Sequence, residues 1–138
     1  MKIYRAILVL LCLVFVVFQI LFFSSAVWWD GAVYIGMGKY IYSLGENGLW
    51  EPARPLVLPL VLGLGWVLGL DIILFGKIIV LLSALGCIIL TYLIGKELYD
   101  PDVGLLACFL LAFTPIFFSL SGSMLTAVPS TFFGLLGV

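Results

Sequence analysis

Asp30 stands one step past a pair of tryptophans in WWDGAVY, Tyr34 follows one helical turn later, and Glu51 and Arg54 come together in EPARP. A carboxylate and a guanidinium at a lipid–water boundary suit a substrate with a phosphate head and a lipid tail. Arginine would grip the phosphate through its planar fork of donors, and the carboxylate would take the proton of an attacking hydroxyl. Each residue also has a plain structural explanation. An aspartate directly before a helix accepts from the first free backbone N–H groups and complements the helix dipole. An arginine before proline can anchor a helix start by snorkelling, with Glu51 as a surface partner of little energetic weight.

The boundary itself follows from composition. Of 138 residues, 65% are hydrophobic and 9% charged, and six Lys/Arg with seven Asp/Glu cannot cover the outside of a folded unit this size in water. With a mean hydropathy of +1.37, the solvent for most of the chain is lipid. The basic residues Lys2, Arg5, Lys39, Arg54, Lys77 and Lys96 are scattered singly, so no basic stripe exists to track a phosphate backbone, and nucleic acid is excluded as a partner. Histidine is absent, which leaves acid–base chemistry to carboxylates, tyrosines or lysines. Cys12, Cys87 and Cys108 lie far apart in apolar runs and read as small buried hydrophobes. The residues name no cofactor and leave a requirement for a divalent metal open.

Charges are costly in hydrocarbon and mark where the chain leaves it. They predict an all-α, polytopic membrane protein. The first span covers residues 6–27, with its amino terminus cytoplasmic because Lys2 and Arg5 flank it. The 22 uncharged residues from Ala6 to Val27 are too long for a signal-peptide core of about 7–15, so Trp28 and Trp29 read as the interfacial belt of a retained span. Residues 28–54 form an extracytoplasmic loop. Within it Val33, Met37, Tyr40, Ile41 and Leu44 fall on one helical stripe, predicting an interfacial helix with Lys39, Tyr42 and Ser43 turned to water.

Residues 55–70 carry two prolines and three glycines in 16 positions, so they form either a short span or a re-entrant segment. Further spans are predicted at 78–95 and 103–120, joined by the polar turn KELYDPD, and 131–138 reads as the start of another. Positive charges divide three against three whether or not 55–70 crosses, so the count does not choose between the two topologies.

With these elements in place, the order WWDGAVYIGMGKYIYSLGENG, ARPLVLPLVLGLG and then GKIIVLLSALGC through SGSMLTAVPSTFF resembles the amino-terminal part of GT-C fold membrane glycosyltransferases. The closest flavour is the protein-mannosyltransferase and lipid A aminoarabinose-transferase group, over residues 10–138. The resemblance implies an inverting transfer of a sugar from a polyprenyl-phosphate donor to a protein, lipid or glycan acceptor. Asp30 would be the catalytic carboxylate, with Tyr34, Glu51 and Arg54 binding substrate on the extracytoplasmic side of the cell membrane. It also implies that residues 55–70 stay on that side. Leu125-Thr126-Ala127-Val128-Pro129 departs from the family pattern, which carries an acidic residue at the third of these positions. Because such enzymes are far longer, the resemblance implies a truncated module, inactive alone. The alternative is a small non-enzymatic multi-pass membrane protein with a packing or partner-binding role, in which Asp30 caps and Arg54 anchors. A transporter fragment is a third possibility, for which Gln19 and Ser83 are among the few polar residues at midplane depth.

Overall fold

A computed structural model describes residues 2–138 as seven helices with no strand among them. They are α1 (Lys2–Leu21), α2 (Trp29–Tyr42), α3 (Val57–Val67), α4 (Ile72–Leu98), α5 (Pro101–Phe113), α6 (Pro115–Ser121) and α7 (Ala127–Leu136). α1 and α4 are each long and apolar enough to cross a bilayer, and α5 with α6 makes a third candidate if the bent pair is one span. α1 packs on its neighbours through one narrow stripe, Leu11, Phe15 and Gln19, spaced four residues apart on one helix face. Phe15 meets the rings of Phe117 and Phe118 there, at 6.1 and 5.8 Å between centroids. Ile3, Leu10, Leu13, Val17 and Ile20 stay exposed on its other faces, an outward apolar surface that suits lipid.

Element boundaries differ from the sequence expectation in ways the chemistry explains. α1 starts at Lys2 and ends at Leu21, short of Val27, because Ser24 Oγ accepts from Ala26 N at 3.1 Å, a local turn that competes with helix. α4 runs through both Lys77 and Lys96, so the helix extends beyond the expected span of 78–95 at both ends. Its start is set by Asp71, whose carboxylate accepts from Ile73 N and Leu74 N at 3.0 and 2.9 Å, a true N-cap. The expected span 103–120 is broken by a 66° bend. Pro115 has no N–H to continue the α5 ladder, and Thr114 Oγ1 donates to Leu110 O instead, at 2.6 Å. α7 begins at Ala127, four residues ahead of the predicted 131.

α4 is the centre of the bundle. Val80, Ala84, Cys87, Ile88 and Tyr92 from α4 join Leu11 and Phe15 of α1, Cys108 and Ala112 of α5, Phe117 of α6 and Val128 of α7 in one apolar core. The chain then has two distinguishable ends. At one, Lys77 Nζ donates to the carbonyl of Ser24 and Gln19 Nε2 donates to Phe118 O at 2.8 Å. At the other, Tyr4 sits by Asp102, below an α4 that is about 40 Å long at 1.5 Å per residue.

Because the residues just after α1 touch the first turns of α4, everything between them, α2 and α3 included, begins and ends at the same end of the bundle. α3 is 11 residues, about 16 Å, against a hydrocarbon core of about 30 Å.

α2 and α3 form a second, smaller core of Val33, Tyr34, Met37, Leu58, Leu62 and Met124. They approach closely because glycine faces glycine. A Cβ on Gly38 would lie 2.5 Å from Pro59 O and 2.7 Å from Gly63 N, and one on Gly63 would strike the Tyr42 ring at 2.4 Å. The predicted stripe holds for Val33 and Met37, which are buried, and is corrected elsewhere. Gly31, Tyr34 and Gly38 belong to the buried face, Tyr42 packs on α3, and Leu44 lies beyond the helix at φ 55° and is 95% exposed. Glycines that weaken an isolated helix are here what lets two helices touch.

Two measurements check this arrangement. In a background with the native cysteines changed to alanine, single cysteines at Asn47 and Leu70 are expected to react with an impermeant maleimide from the same side of the membrane, and one at Tyr99 from the opposite side. Labelling of positions 47 and 70 from opposite sides would mean that α3 crosses. Gly38→Val is expected to lower thermal stability in detergent by about 1–3 kcal/mol through overpacking, whereas Gly134→Ala, with nothing within 4 Å of the new methyl, is expected to cause no loss.

Candidate functional site

Asp30 does not cap a helix. α2 begins at Trp29, the extended residue before it is Trp28 at φ −67° and ψ 156°, and no side chain bonds the free N–H groups there. Asp30 lies inside the first turn, where its charge complements the helix dipole, and its carboxylate is turned outward. Oδ1 meets the Arg54 guanidinium at 2.7 Å from NH2. The capping explanation is therefore corrected, and the side chain's partner is 24 residues away.

Arg54 reaches Asp30 from a turn that its own neighbours shape. Arg54 N bonds Glu51 O at 3.3 Å, and Pro52 and Pro55 limit the backbone on both sides. The guanidinium is shared. Nε donates to Glu51 Oε1 at 3.1 Å while NH2 serves Asp30, and its carbon lies 5.8 Å from the centre of the Tyr34 ring, within cation–π range. The hydrogen bond that Arg54 donates to Glu51, helped by Tyr34 and then by the charge on Asp30, outweighs desolvation and pushes the Arg54 pKa above its already high ordinary value, so the cation persists at any working pH. Side-chain exposures of 27% for Arg54, 44% for Asp30 and 39% for Glu51 leave all three in reach of a solute.

Tyr34 is placed differently from its neighbours. It is 4% exposed, packed in the α2–α3 core, with its hydroxyl 3.5 Å from Thr126 Oγ1, a long contact rather than a firm hydrogen bond. Its ring is the floor under Arg54. The segment that carries Thr126 comes close because Gly31 lacks a side chain: a Cβ there would lie 3.2 Å from Met124 O. Residues 124–126, almost a hundred positions beyond Asp30, thus border the site, and Ala127 follows them, exposed at the start of α7. Nothing in the spacing along the chain announced this approach.

All four residues singled out from the sequence are brought together, Asp30, Glu51 and Arg54 at the surface and Tyr34 beneath them. Sequence reasoning noted residues 125–129 only for the acidic residue they lack and did not expect the Thr126 hydroxyl or Met124 at the site. It also took Lys77 as the mark of a span's end, whereas the side chain is 8% exposed among helices. Asp71 held the missing signal, since a helix capped there must carry Lys77 within its second turn. Among the described residues no three His, Cys, Asp or Glu side chains converge on a point that would hold a metal ion, and both carboxylates of the site face arginine.

No protein-family model, curated protein or solved structure matches this chain.

The half-exposed ion pair and the helix-dipole contact of Asp30 are surface interactions that together make only a small contribution to stability. Asp30→Asn is therefore expected to leave the helical circular dichroism unchanged and to move thermal stability only slightly. A large loss of stability would make the carboxylate a structural element.

Proposed function

We propose that this chain is the donor-engaging part of an integral-membrane glycosyltransferase, moving a sugar from a polyprenyl-phosphate carrier to a hydroxyl of a protein, lipid or glycan. In this reading the chain is anchored by α1, α4 and the bent α5–α6 pair with its amino terminus cytoplasmic. α2 is the interfacial helix and α3 a re-entrant segment, both on the extracytoplasmic side. The observation that carries the reading is the shared guanidinium: Arg54 holds Asp30 at 2.7 Å while Glu51 holds Arg54, so a half-exposed carboxylate is fixed in one orientation at the end of an apolar bundle.

The chemistry assigns each group one task. The acceptor hydroxyl gives its proton to Asp30 as its oxygen bonds to the anomeric carbon of the sugar. The bond from that carbon to the donor phosphate oxygen breaks, and the electron pair leaves with the polyprenyl phosphate. Such a base contributes about 10²–10⁴-fold when oriented. Arg54 has five N–H donors, of which two are engaged by the carboxylates. It therefore positions Asp30 and still has donors free for an anionic substrate. Tyr34 keeps the arginine over its ring. With alanine at position 127, no second carboxylate joins Asp30 from the Thr126 side, and proton transfer rests on Asp30 alone.

A non-enzymatic packing role draws on the same geometry, because an arginine already balanced by two carboxylates can simply close a surface. Turnover separates the two. Because the module is expected to be inactive alone, membranes carrying it as part of a complete transferase are incubated with a polyprenyl-phosphate-linked radiolabelled hexose, and label passing into acceptors is counted. The expected result is transfer that falls by about 100-fold or more in Asp30→Asn while membrane insertion is unchanged. Equal transfer by Asp30→Asn and the unaltered enzyme would favour the packing role.

A further inference from the structure

A cavity of about 390 Å³ opens between α1, α4 and α6, beside the site but separate from its ion pair. Its one charged group is Lys77, the sixth residue of α4, at 8% exposure. An ammonium has three N–H donors. Here one is given to the carbonyl of Ser24, and the ring of Phe23 lies 4.9 Å from Nζ. Among the described residues no carboxylate pairs with it; both ion pairs belong to Arg54. The other elements that face the cavity offer Gln19 and the small residues Ser119, Ser121, Gly122 and Ser123, none of them acidic. A cation withdrawn from water beside one carbonyl and one ring is left short of both charge and acceptors, and an ionisable side chain so placed in a membrane helix marks a functional position.

The rest of the lining says what would complete it. Ile20, Phe22, Leu74 and Ile78 border the cavity and also keep between 45% and 69% of their surface exposed. The mouth therefore opens onto the apolar outside of the bundle rather than onto a polar rim. A hydrated ion has no favourable path through such a mouth, whereas an amphiphile can leave its chain on the outer apolar surface and place its head inside.

We infer that this cavity is a binding site for the phosphate head of a lipid, with Lys77 as the cation that holds it and Ile20, Phe22, Leu74 and Ile78 lining the exit of its hydrocarbon chain. The site does not require sugar transfer. It reassigns the main anion contact within the chain, since Arg54 is already shared between two carboxylates and Lys77 is shared with none.

The test is lipid retention. The full chain is placed in phosphatidylcholine nanodiscs doped with a polyprenyl phosphate, or with the corresponding neutral polyprenol, and the lipid still attached is read by native mass spectrometry. The expected result is retention of the phosphate in preference to the alcohol, a fall of about tenfold in Lys77→Gln and recovery in Lys77→Arg. Ile78→Trp fills the cavity from an exposed position, leaves Lys77 intact and is expected to reduce retention as well; it keeps the test decisive if Lys77→Gln does not fold. Equal retention of alcohol and phosphate, or unchanged retention in both variants, would overturn the site. Displacement of the lipid by millimolar inorganic phosphate would overturn its assignment to a lipid. Phosphatidic acid retained as well as polyprenyl phosphate sustains the site while removing any support it lends to sugar transfer.

Discussion

The end of α1 and the start of α4 meet, with the Lys77 ammonium donating to the carbonyl of Ser24, and this contact decides where the other polar groups can lie. It returns residues 25–71 to the end of the bundle they start from, where the α2–α3 core packs against Ile72 and Ile73 at the start of α4. Asp30, Glu51 and Arg54 are carried to that end by the same constraint. Glycine lets the pair pack closely: Gly38 against Pro59 and Gly63 joins α2 to α3, and Gly31 admits the backbone of Met124.

Arg54 and Lys77, two of the cationic groups at this end, differ in their surroundings, and the difference is chemical. Arg54 is half in water and balanced by two carboxylates, which makes it a clamp on Asp30. Lys77 is enclosed, and carbonyl and ring contacts give it hydrogen bonding and polarisation without a counter-charge. A phosphate-headed lipid would meet the first group as part of a reactive surface and the second as an anchor. The two are linked in the chain by Trp28, which lines the cavity and is followed within two residues by Asp30.

Much of this was legible in the residues. The lack of charge over Ala6–Val27 pointed to a helix long and apolar enough to cross a membrane, and the tryptophans and the aspartate behind them marked one end of it. Asp30, Tyr34, Glu51 and Arg54 could be grouped because all four fall in the one stretch, residues 28–54, expected to lie between two apolar segments. What the sequence could not supply were contacts made by tertiary packing. Thr126 is brought to Tyr34 by the return of α5 and α6, whose 66° bend at Thr114–Pro115 lies inside an uncharged run that gives no sign of a break except the proline itself. Lys77 was read only as a charge beyond the start of a span; that neighbouring helices enclose its side chain is again a contact of tertiary packing. Asp30 was misread by one helical position, since a residue inside the first turn and a residue capping it have the same neighbours in sequence.

The shared guanidinium is the feature on which the functional account turns, and nitrogen NMR observes it directly because the chain has only two arginines, Arg5 and Arg54. In ¹⁵N-arginine-labelled protein in detergent, the account predicts one side chain whose Nε–H and Nη–H signals exchange slowly with water and shift when Asp30 is replaced by asparagine. Two arginines that both exchange as freely as the amino acid in solution, unchanged by Asp30→Asn, would contradict it.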